Sequence, residues 1–323
     1  MPRPGQRSAE MFTYIVRRVL ATVPVMAVVA VFVFALLYLS PGDPAAIIAG
    51  DTATVDDIVR IRAKLGLDQP VYVQFGTWVW RLLQGDLGIS IFTNLPVTKL
   101  VQQRLEPTVA LTIATLTVSV SVAIPLGVLA AWKAGTWIDR LFMLFAVMGF
   151  SVPVFVLAYL LIFGLAIKTD LLPVQGYVSF TVGIVPFLSH LIMPAMALGM
   201  IQSALIARIT RASMLDVLAQ DYIRTAQAKG LGNGRMLLGH ALKNAAVPIV
   251  TIIGIGVALL ISGVVVTETV FAIPGLGRLT VDAILRRDYP IIQGVILIFS
   301  GAYVLINLLV DLSYTLLDPR IRY

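Results

Sequence analysis

The 323-residue sequence contains no cysteine and only two histidines, and charged side chains make up only 13% of it. Without cysteine the chain can form no disulfide, thiolate metal site or cysteine nucleophile. Neither His190 nor His240 has a second metal-type ligand at helical spacing, and no serine has an evident base and orienting acid. The glycine-rich segments lack the lysine and Ser/Thr of a phosphate-binding P-loop. The sequence therefore predicts no enzyme activity, metal or cofactor for this chain.

Apolar residues dominate the sequence, at 59% of all positions and a mean hydropathy of +0.93. One water-soluble core cannot bury this much apolar surface, so lipid must be the solvent for most of the chain. The net charge of +7 is spread along segments that flank the apolar runs, and forms no single basic patch with aromatic residues. We therefore predict an all-α integral membrane protein that does not bind nucleic acid.

Six stretches without charged residues are long enough to cross a bilayer, whose core requires about 20 apolar residues per helix. They are residues 19–39, 107–132, 141–167, 171–207, 244–267 and 289–310. The fourth stretch is too long for one span. Two prolines and two glycines between residues 173 and 186 favour an irregular loop there, followed by a helix from about Pro186 to Ala207. The sequence thus predicts six transmembrane helices.

The distribution of charge predicts the orientation. Residues 1–18, 133–140, 208–243 and 311–323 together hold 14 Lys/Arg and six acids, whereas the opposite segments hold ten Lys/Arg and 11 acids. The positive-inside rule therefore places both termini in the cytoplasm. The predicted organisation is a cytoplasmic segment 1–18, an uncleaved first transmembrane helix 19–39, an extracytoplasmic loop 40–106, a five-helix core 107–317 that includes the cytoplasmic loop 208–243, and a cytoplasmic tail 318–323.

The extracytoplasmic loop contains two patterns typical of short helices. The first helix begins after Thr54 and ends at Gly66, with an apolar face formed by Ile58, Ile61 and Leu65. The second is an amphipathic segment expected to lie on the membrane surface, with Val97, Leu100, Val101 and Leu105. The loop is either a platform for an extracytoplasmic partner or a cap on its own helices.

The cytoplasmic loop 208–243 separates two apolar runs and carries six Lys/Arg against two Asp. Its apolar positions recur every three or four residues, at Leu215, Leu218, Tyr222 and Ala226, which favours an amphipathic helix. Gly230 follows at a position typical of a helix-ending glycine. The membrane-embedded chain thus presents a helical element to the cytoplasm, where we expect a partner to dock.

Uncharged polar residues inside the predicted spans are candidates for a translocation path, which would suit a substrate with hydrogen-bonding groups. The candidates are Ser151, Gln202, Ser203 and Asn307, and further serines lie at 119, 121, 262 and 300. Hydrogen bonding between helices is the alternative role for each of them. Gln202 and Asn307 are the preferred path residues because large amides are harder to explain by packing.

Several motifs in order resemble the ABC importer permeases of the dipeptide, oligopeptide, nickel and glutathione class. The cytoplasmic signature of that class is similar to DYIRTAQAKGL at 221–231, followed by HALKNAAVP at 240–248. Further matching segments cover nearly the whole chain: YIVRRVL from 14, SPGDPA from 40, LGLDQP from 65, GDLGIS from 85, TETVFAIPGLGRL from 267, RRDYPIIQG from 286 and DPRIRY from 318. They point to the B-type member of a pair of permeases.

The resemblance implies a type I ABC importer permease in the inner membrane of a prokaryote. Its partners would be a homologous C-type permease, two ATPase subunits that carry ATP and magnesium, and an extracytoplasmic substrate-binding protein. The expected substrates are dipeptides and oligopeptides, with nickel, glutathione or another small solute as alternatives. The rival class is a secondary transporter or a channel that works alone. Such carriers often use ionisable residues inside the membrane, and the six charge-free runs contain none.

The resemblance also implies that the helix ending at Gly230 sits in a groove of an ATPase subunit. The implied coupling residues are Asp221, Tyr222, Arg224, Thr225, Ala226, Lys229, Gly230 and Leu231. The broad importer signature is Glu-Ala-Ala, three residues and Gly, whereas this chain has Arg224, Thr225 and Ala226 in the first three places. Ala226 and Gly230 are small enough for close packing, and Arg224 and Lys229 can reach acids on a partner.

Overall fold

The computed structural model describes residues 4–39, 43, 45–46, 54–64 and 66–317. Across these residues the regular structure is helical, apart from an isolated β-bridge between Ile89 and Pro96. The predicted all-α class is confirmed. The chain divides into two compact units: Met1–Glu106 with Arg278–Val304, and Pro107–Gly277 with Leu305–Tyr323.

The first helices with both ends among the described residues are α1 (Pro4–Leu39), α2 (Val55–Lys64) and α3 (Val71–Leu83). Helix α2 has its predicted limits. The N–H of Ile58 donates to the carbonyl of Thr54 at 3.2 Å, and Gly66 ends the helix with a φ of +69°. Leu65, part of the predicted apolar face, lies outside the described residues. Helix α3, which follows Pro70, was not predicted.

Helix α4 (Val97–Trp132) is 36 residues long, which corrects the prediction of a separate surface helix around residues 97–105. Val97, Leu100 and Val101 form the first turns of α4 and are buried. The reason is packing against protein: a Cβ placed on Gly294 would lie 2.8 Å from Cγ1 of Val97. Three of the four predicted apolar residues are therefore covered by the chain itself, whereas Leu105 is exposed.

The third apolar run, 141–167, is divided between α5 (Trp137–Ser151) and α6 (Val154–Leu161), which continues as a π-helical segment (Ile162–Ile167). The two parts are bent by 100°. Pro153 accounts for the break. It has no N–H for a helical hydrogen bond, and Val152 before it takes an extended conformation with φ −91° and ψ 120°.

Helix α7 (Ile184–Leu218) follows an irregular segment, as predicted, but it continues 11 residues past the predicted end at Ala207. The remaining elements are α8 (Asp221–Ala228), a π-helical segment (Arg235–Ala241), α9 (Leu242–Asn244), α10 (Ala246–Val270), α11 (Leu276–Arg286) and α12 (Tyr289–Leu317).

Four described helices are long and apolar enough to cross a membrane: Val16–Leu39 of α1, α4, α7 and Tyr289–Tyr314 of α12. Two bent pairs raise the number to six if each pair counts as one span. They are Trp137–Gly149 with Val154–Ile167, and Arg235–Asn244 with Ala246–Ala258. These helices make the chain a multi-pass membrane protein.

A fully buried carboxylate lies in the second unit. Glu268 is one residue beyond the charge-free run 244–267, yet it belongs to α10. The hydroxyl of Thr108 donates to its Oε1 at 2.6 Å and accepts from the N–H of Leu276 at 2.8 Å. The helix therefore does contain an acid, although the predicted span did not, and this acid is hydrogen-bonded within the protein.

Two predicted extracytoplasmic segments meet in the first unit. The Ser90 hydroxyl donates to Oδ2 of Asp288 at 2.6 Å, and the Ile91 N–H donates to Oδ1 at 3.3 Å. Ser90 and Asp288 are both buried. Because residues in contact lie on the same side of a membrane, this arrangement agrees with the assignment of both segments to one side.

Candidate functional site

The predicted cytoplasmic loop 208–243 does not contain the single amphipathic helix predicted over residues 215–226. Helix α7 ends at Leu218 and α8 begins at Asp221. Gln220 lies between them in an extended conformation, with φ −75° and ψ 145°. A residue in that conformation changes the direction of the chain, so Leu215 and Leu218 belong to a different helix from Tyr222 and Ala226.

Helix α8 ends at the predicted glycine. Gly230 has a φ of +80°, and its N–H donates to the Gln227 carbonyl at 2.9 Å. The Leu231 N–H donates to the Ala226 carbonyl at 3.1 Å. This pair of bonds is a Schellman motif, which requires a left-handed residue at the position of Gly230. The glycine is therefore needed by the backbone of this chain, whether or not a partner is bound.

Ile223 anchors α8 in the second unit. Its side chain is 1% exposed and belongs to an apolar cluster at this end of the unit. The other buried members are Val128, Ala131, Met214, Met236, Leu237, Ala241, Ala245 and Ile249, and Leu231 packs against them. Burying an isoleucine contributes about 2 kcal/mol, which is a large share of the stability of an eight-residue helix.

Two side-chain hydrogen bonds hold α8 against the segment that follows it. The Asn244 amide donates to the hydroxyl of Tyr222 at 3.0 Å and to the His240 carbonyl at 2.9 Å. The Gln227 amide donates to the sulfur of Met236 at 3.1 Å. Together with Ile223, these contacts fix the position of α8 relative to the chain that leads into α10.

The opposite side of α8 is polar and exposed. Arg224 is 74% exposed, and its separation of 3.9 Å from Asp221 makes a weak surface ion pair. Thr225 and Lys229 are also exposed. Nothing lies within 4 Å of where a Cβ on Gly230 would be. This surface therefore presents two cations and an open backbone position.

Ala226 is the exception among the implied coupling residues, because it is half-buried and its carbonyl accepts the bond from Leu231. The structure thus brings the eight implied residues into one helix and its C-terminal turn. It divides them between an anchored side and an exposed side. Ile223 was not predicted to be buried. Its apolar side chain, between Tyr222 and Ala226 and three residues before the latter, was a signal that it belongs to the packed side of the helix.

A second feature missed in the sequence supports this region from α5. The guanidinium of Arg211 donates through Nε to Oδ1 of Asp139 at 2.6 Å and through Nη2 to Oδ2 at 2.7 Å. The Gly135 N–H donates to the same carboxylate at 3.0 Å. This bidentate pair connects the start of α5 to the C-terminal part of α7. Arg211 is therefore held inside the chain.

The candidate path residues belong to three helices: Ser151 to α5, Gln202 and Ser203 to α7, and Asn307 to α12. The Ser151 hydroxyl is exposed and donates to the Val147 carbonyl at 3.1 Å, and the buried Ser203 donates to the Met200 carbonyl at 2.8 Å. Ser203 also lines a small cavity of ≈ 10 Å³. Asn307, on α12, is half-buried. A shared path through them remains a prediction.

Gln202 is buried where α7 meets α10. A Cβ on Gly256 would collide with its side-chain amide, so the glycine provides the space that the amide occupies. The Nε2 of Gln202 has no hydrogen-bond partner among the described residues. His190, by contrast, has a hydrogen-bond partner, because its Nδ1 lies 2.7 Å from the Pro186 carbonyl.

Comparison with known proteins gives two family matches. Residues 123–323 match the family described as "Binding-protein-dependent transport system inner membrane component". Residues 11–112 match the family of the corresponding N-terminal component. The chain belongs to the binding-protein-dependent transport system inner membrane components.

Several relatives match this permease over their whole length. A probable peptide ABC transporter permease of Sinorhizobium fredii is 56% identical over 313 residues, which is 97% of this chain and 100% of the relative. A putative peptide transport system permease of Brucella abortus is 44% identical with the same coverage. The glutathione transport system permease GsiC of Escherichia coli is 42% identical, again over 97% and 100%. The predicted class of ABC importer permease is confirmed.

A solved structure agrees on the fold. A chain of the MetNI methionine ABC transporter, in an inward-facing conformation, aligns with a TM-score of 0.57 and 16% identity, over 68% of this permease and 96% of that chain. At this identity the likeness concerns the fold alone. The type I importer permease fold implied by the sequence motifs is confirmed.

Proposed function

We propose that this permease is the B-type subunit of an ATP-driven importer of dipeptides and oligopeptides in the inner membrane of a prokaryote. A C-type permease would complete the translocation path, and an extracytoplasmic binding protein would deliver the substrate. Two relatives are described as peptide permeases, which supports this substrate class. Because one relative is a glutathione permease, glutathione is the alternative substrate. Nickel or another small solute would be imported by the same arrangement of subunits.

The observation that carries the proposed coupling is the two-sided construction of α8. Ile223 and the Tyr222–Asn244 bond fix the helix to the membrane domain, while Arg224 and Lys229 are exposed. Such a helix can transmit a rigid displacement. ATP and magnesium would bind on the two ATPase subunits, whose closure would move the docked helix and switch the cavity from inward-facing to outward-facing. The chain itself then needs no nucleotide site.

The decisive experiment is reconstitution in liposomes. The chain, its C-type partner and the ATPases are expected to take up a labelled dipeptide only when ATP and the binding protein are both present. A parallel assay with labelled glutathione and nickel identifies the substrate. Uptake by this chain alone, driven by a proton or sodium gradient, would contradict the importer proposal and favour the secondary transporter.

The neighbouring genes provide an independent check. Genes for two ATPases, a second permease and a binding protein are expected beside this one, and the ligand of that binding protein narrows the substrate. Glu268, the buried acid of α10, is one described residue to test for ion coupling. Because Thr108 and the loop before α11 surround it, we expect Glu268→Gln to affect folding without creating or removing dependence on an ion gradient.

A further inference from the structure

Helix α3 exposes several large apolar side chains. None of its residues is buried. Tyr72, Trp80 and Leu83 are 78%, 63% and 76% exposed, and Val73 is exposed beside them. At helical spacing these four side chains lie on one face. An exposed apolar face of this kind marks contact with a partner or with a membrane.

The opposite face of α3 packs on the last turns of α1. The ring centroids of Phe34 and Phe75 are 5.2 Å apart, and those of Phe34 and Trp78 are 5.5 Å apart. The Tyr38 hydroxyl donates a hydrogen bond to the side-chain oxygen of Gln74. These contacts hold α3 at the level where α1 ends, at Leu39.

That level corresponds to a membrane boundary. The apolar part of α1 is 24 residues long, or about 36 Å at 1.5 Å per residue. The hydrocarbon core of a bilayer is about 30 Å thick. The last turns of α1, and the helix packed on them, therefore lie where the hydrocarbon core meets the headgroups. Trp and Tyr are enriched at this depth.

The polar side chains of α3 are confined to one edge. Gln74, Thr77 and Arg81 recur at helical spacing between the packed face and the exposed apolar face. This edge lines a cavity of ≈ 380 Å³ together with Gln69. One polar edge and an uncharged apolar face form the pattern of a helix lying in the plane of a membrane interface.

We infer that α3 is an interfacial helix whose face of Tyr72, Val73, Trp80 and Leu83 inserts into the lipid boundary at the outer end of α1. Lipid fits this face better than a protein partner because it carries no charged side chain, whereas the rim of a protein interface is polar. Helix α1, on which α3 packs, exposes Val28 and Phe32 in the manner of a lipid-facing span.

The test uses the absence of cysteine, which lets single cysteines carry spin labels without background. Labels at Tyr72→Cys and Leu83→Cys are measured in the full-length chain in phosphatidylcholine and phosphatidylglycerol liposomes. Collisions with oxygen and with a water-soluble nickel chelate report depth. Val28→Cys supplies the lipid-exposed reference and Asp216→Cys the water-exposed reference. Thr77→Cys is the matched control on the polar edge of α3.

We expect positions 72 and 83 to be accessible to oxygen and several-fold less accessible to the nickel chelate than position 216, with Thr77→Cys close to the water reference. Nickel accessibility at 72 and 83 equal to that at 216 would place the face in water and overturn the inference. Low accessibility to both reagents would mean that protein covers the face, which also overturns it. Val73→Cys repeats the measurement if either variant fails to insert.

Discussion

The Tyr222 hydroxyl accepts a 3.0 Å hydrogen bond from the Asn244 amide, which joins α8 to α9 across 22 residues of sequence. The same amide group bonds to the His240 carbonyl. The proposed docking helix is therefore attached to the chain that enters α10, and not only to the end of α7. A displacement of α8 would be transmitted to two membrane helices at once.

The anchor of α8 gives the first prediction. Ile223→Ala should weaken the packing of α8 by about 2–4 kcal/mol, because it removes a fully buried side chain from the cluster around Met214 and Met236. We expect faster amide hydrogen exchange over residues 221–231 and less ATPase co-purified with the permease. Thr225→Ala, on the exposed side, is the control for exchange. Unchanged exchange in Ile223→Ala would show that the anchor is elsewhere.

The exposed cation on α8 gives the second prediction. If Arg224 faces acids on an ATPase, Arg224→Glu should reduce association, and the difference from the unchanged protein should shrink as salt screens the charges. Asp56→Lys, an exposed charge reversal on α2, should leave association unchanged. Pull-down of the ATPase at low and high salt measures both. Equal recovery of ATPase by Arg224→Glu at every salt concentration would remove Arg224 from the docking surface.

The Asp139–Arg211 pair gives the third prediction. Asp139 is almost fully buried, so Arg211→Ala leaves its carboxylate without its cation and should destabilise the chain by about 3 kcal/mol. Thermal unfolding of the purified protein measures this loss. Combining Arg211→Ala with Asp139→Ala should cost less than the sum of the two single losses. Additive losses would mean that the two side chains do not interact.

Local signals in the sequence were sufficient to predict a helix end where one residue determines the backbone conformation. Gly66 and Gly230 end their helices because both adopt positive φ values. The period of Leu215, Leu218, Tyr222 and Ala226 gave a wrong continuous helix because a period contains no information about a turn at Gln220. Asp139 and Arg211 are 72 residues apart, so their pairing appears only when α5 and α7 pack together. Helix α3 was missed because its apolar residues surround most of the helix.

The fourth prediction separates two possible roles of Gly230: it adopts a positive φ that ends α8, and it leaves space for close packing of an ATPase. Gly230→Trp should insert into the membrane but lose ATPase association and uptake, since overpacking typically costs about 1–3 kcal/mol and 1.4 kcal/mol is a tenfold change in binding. The positive φ adds a backbone cost of about 1–2 kcal/mol for most side chains. Gly230→Asn tolerates that conformation and should retain more association than Gly230→Trp.

Gly232→Trp is the matched control for bulk in the same turn, because Gly232 is exposed, has no neighbour within 4 Å of a Cβ and has no positive φ. Co-purification of the ATPase and uptake in liposomes distinguish the roles. If Gly230→Trp binds the ATPase and transports as well as the unchanged protein, the turn after α8 does not contact a partner.

The contact between Ser90 and Asp288 leads to the last prediction, which concerns topology. It joins two segments that the charge distribution places outside the cytoplasm. A cysteine at Asp56 should react with a membrane-impermeant maleimide in intact cells, and a cysteine at Asp216 should react only after permeabilisation, because both positions are exposed but lie in predicted loops on opposite sides. A reporter fused after Tyr323 should be cytoplasmic. Five of the six predicted spans lie between Asp56 and Tyr323, and an odd number of spans puts the two positions on opposite sides of the membrane. Finding the reporter and the Asp56 label on the same side would therefore exclude the six-span arrangement.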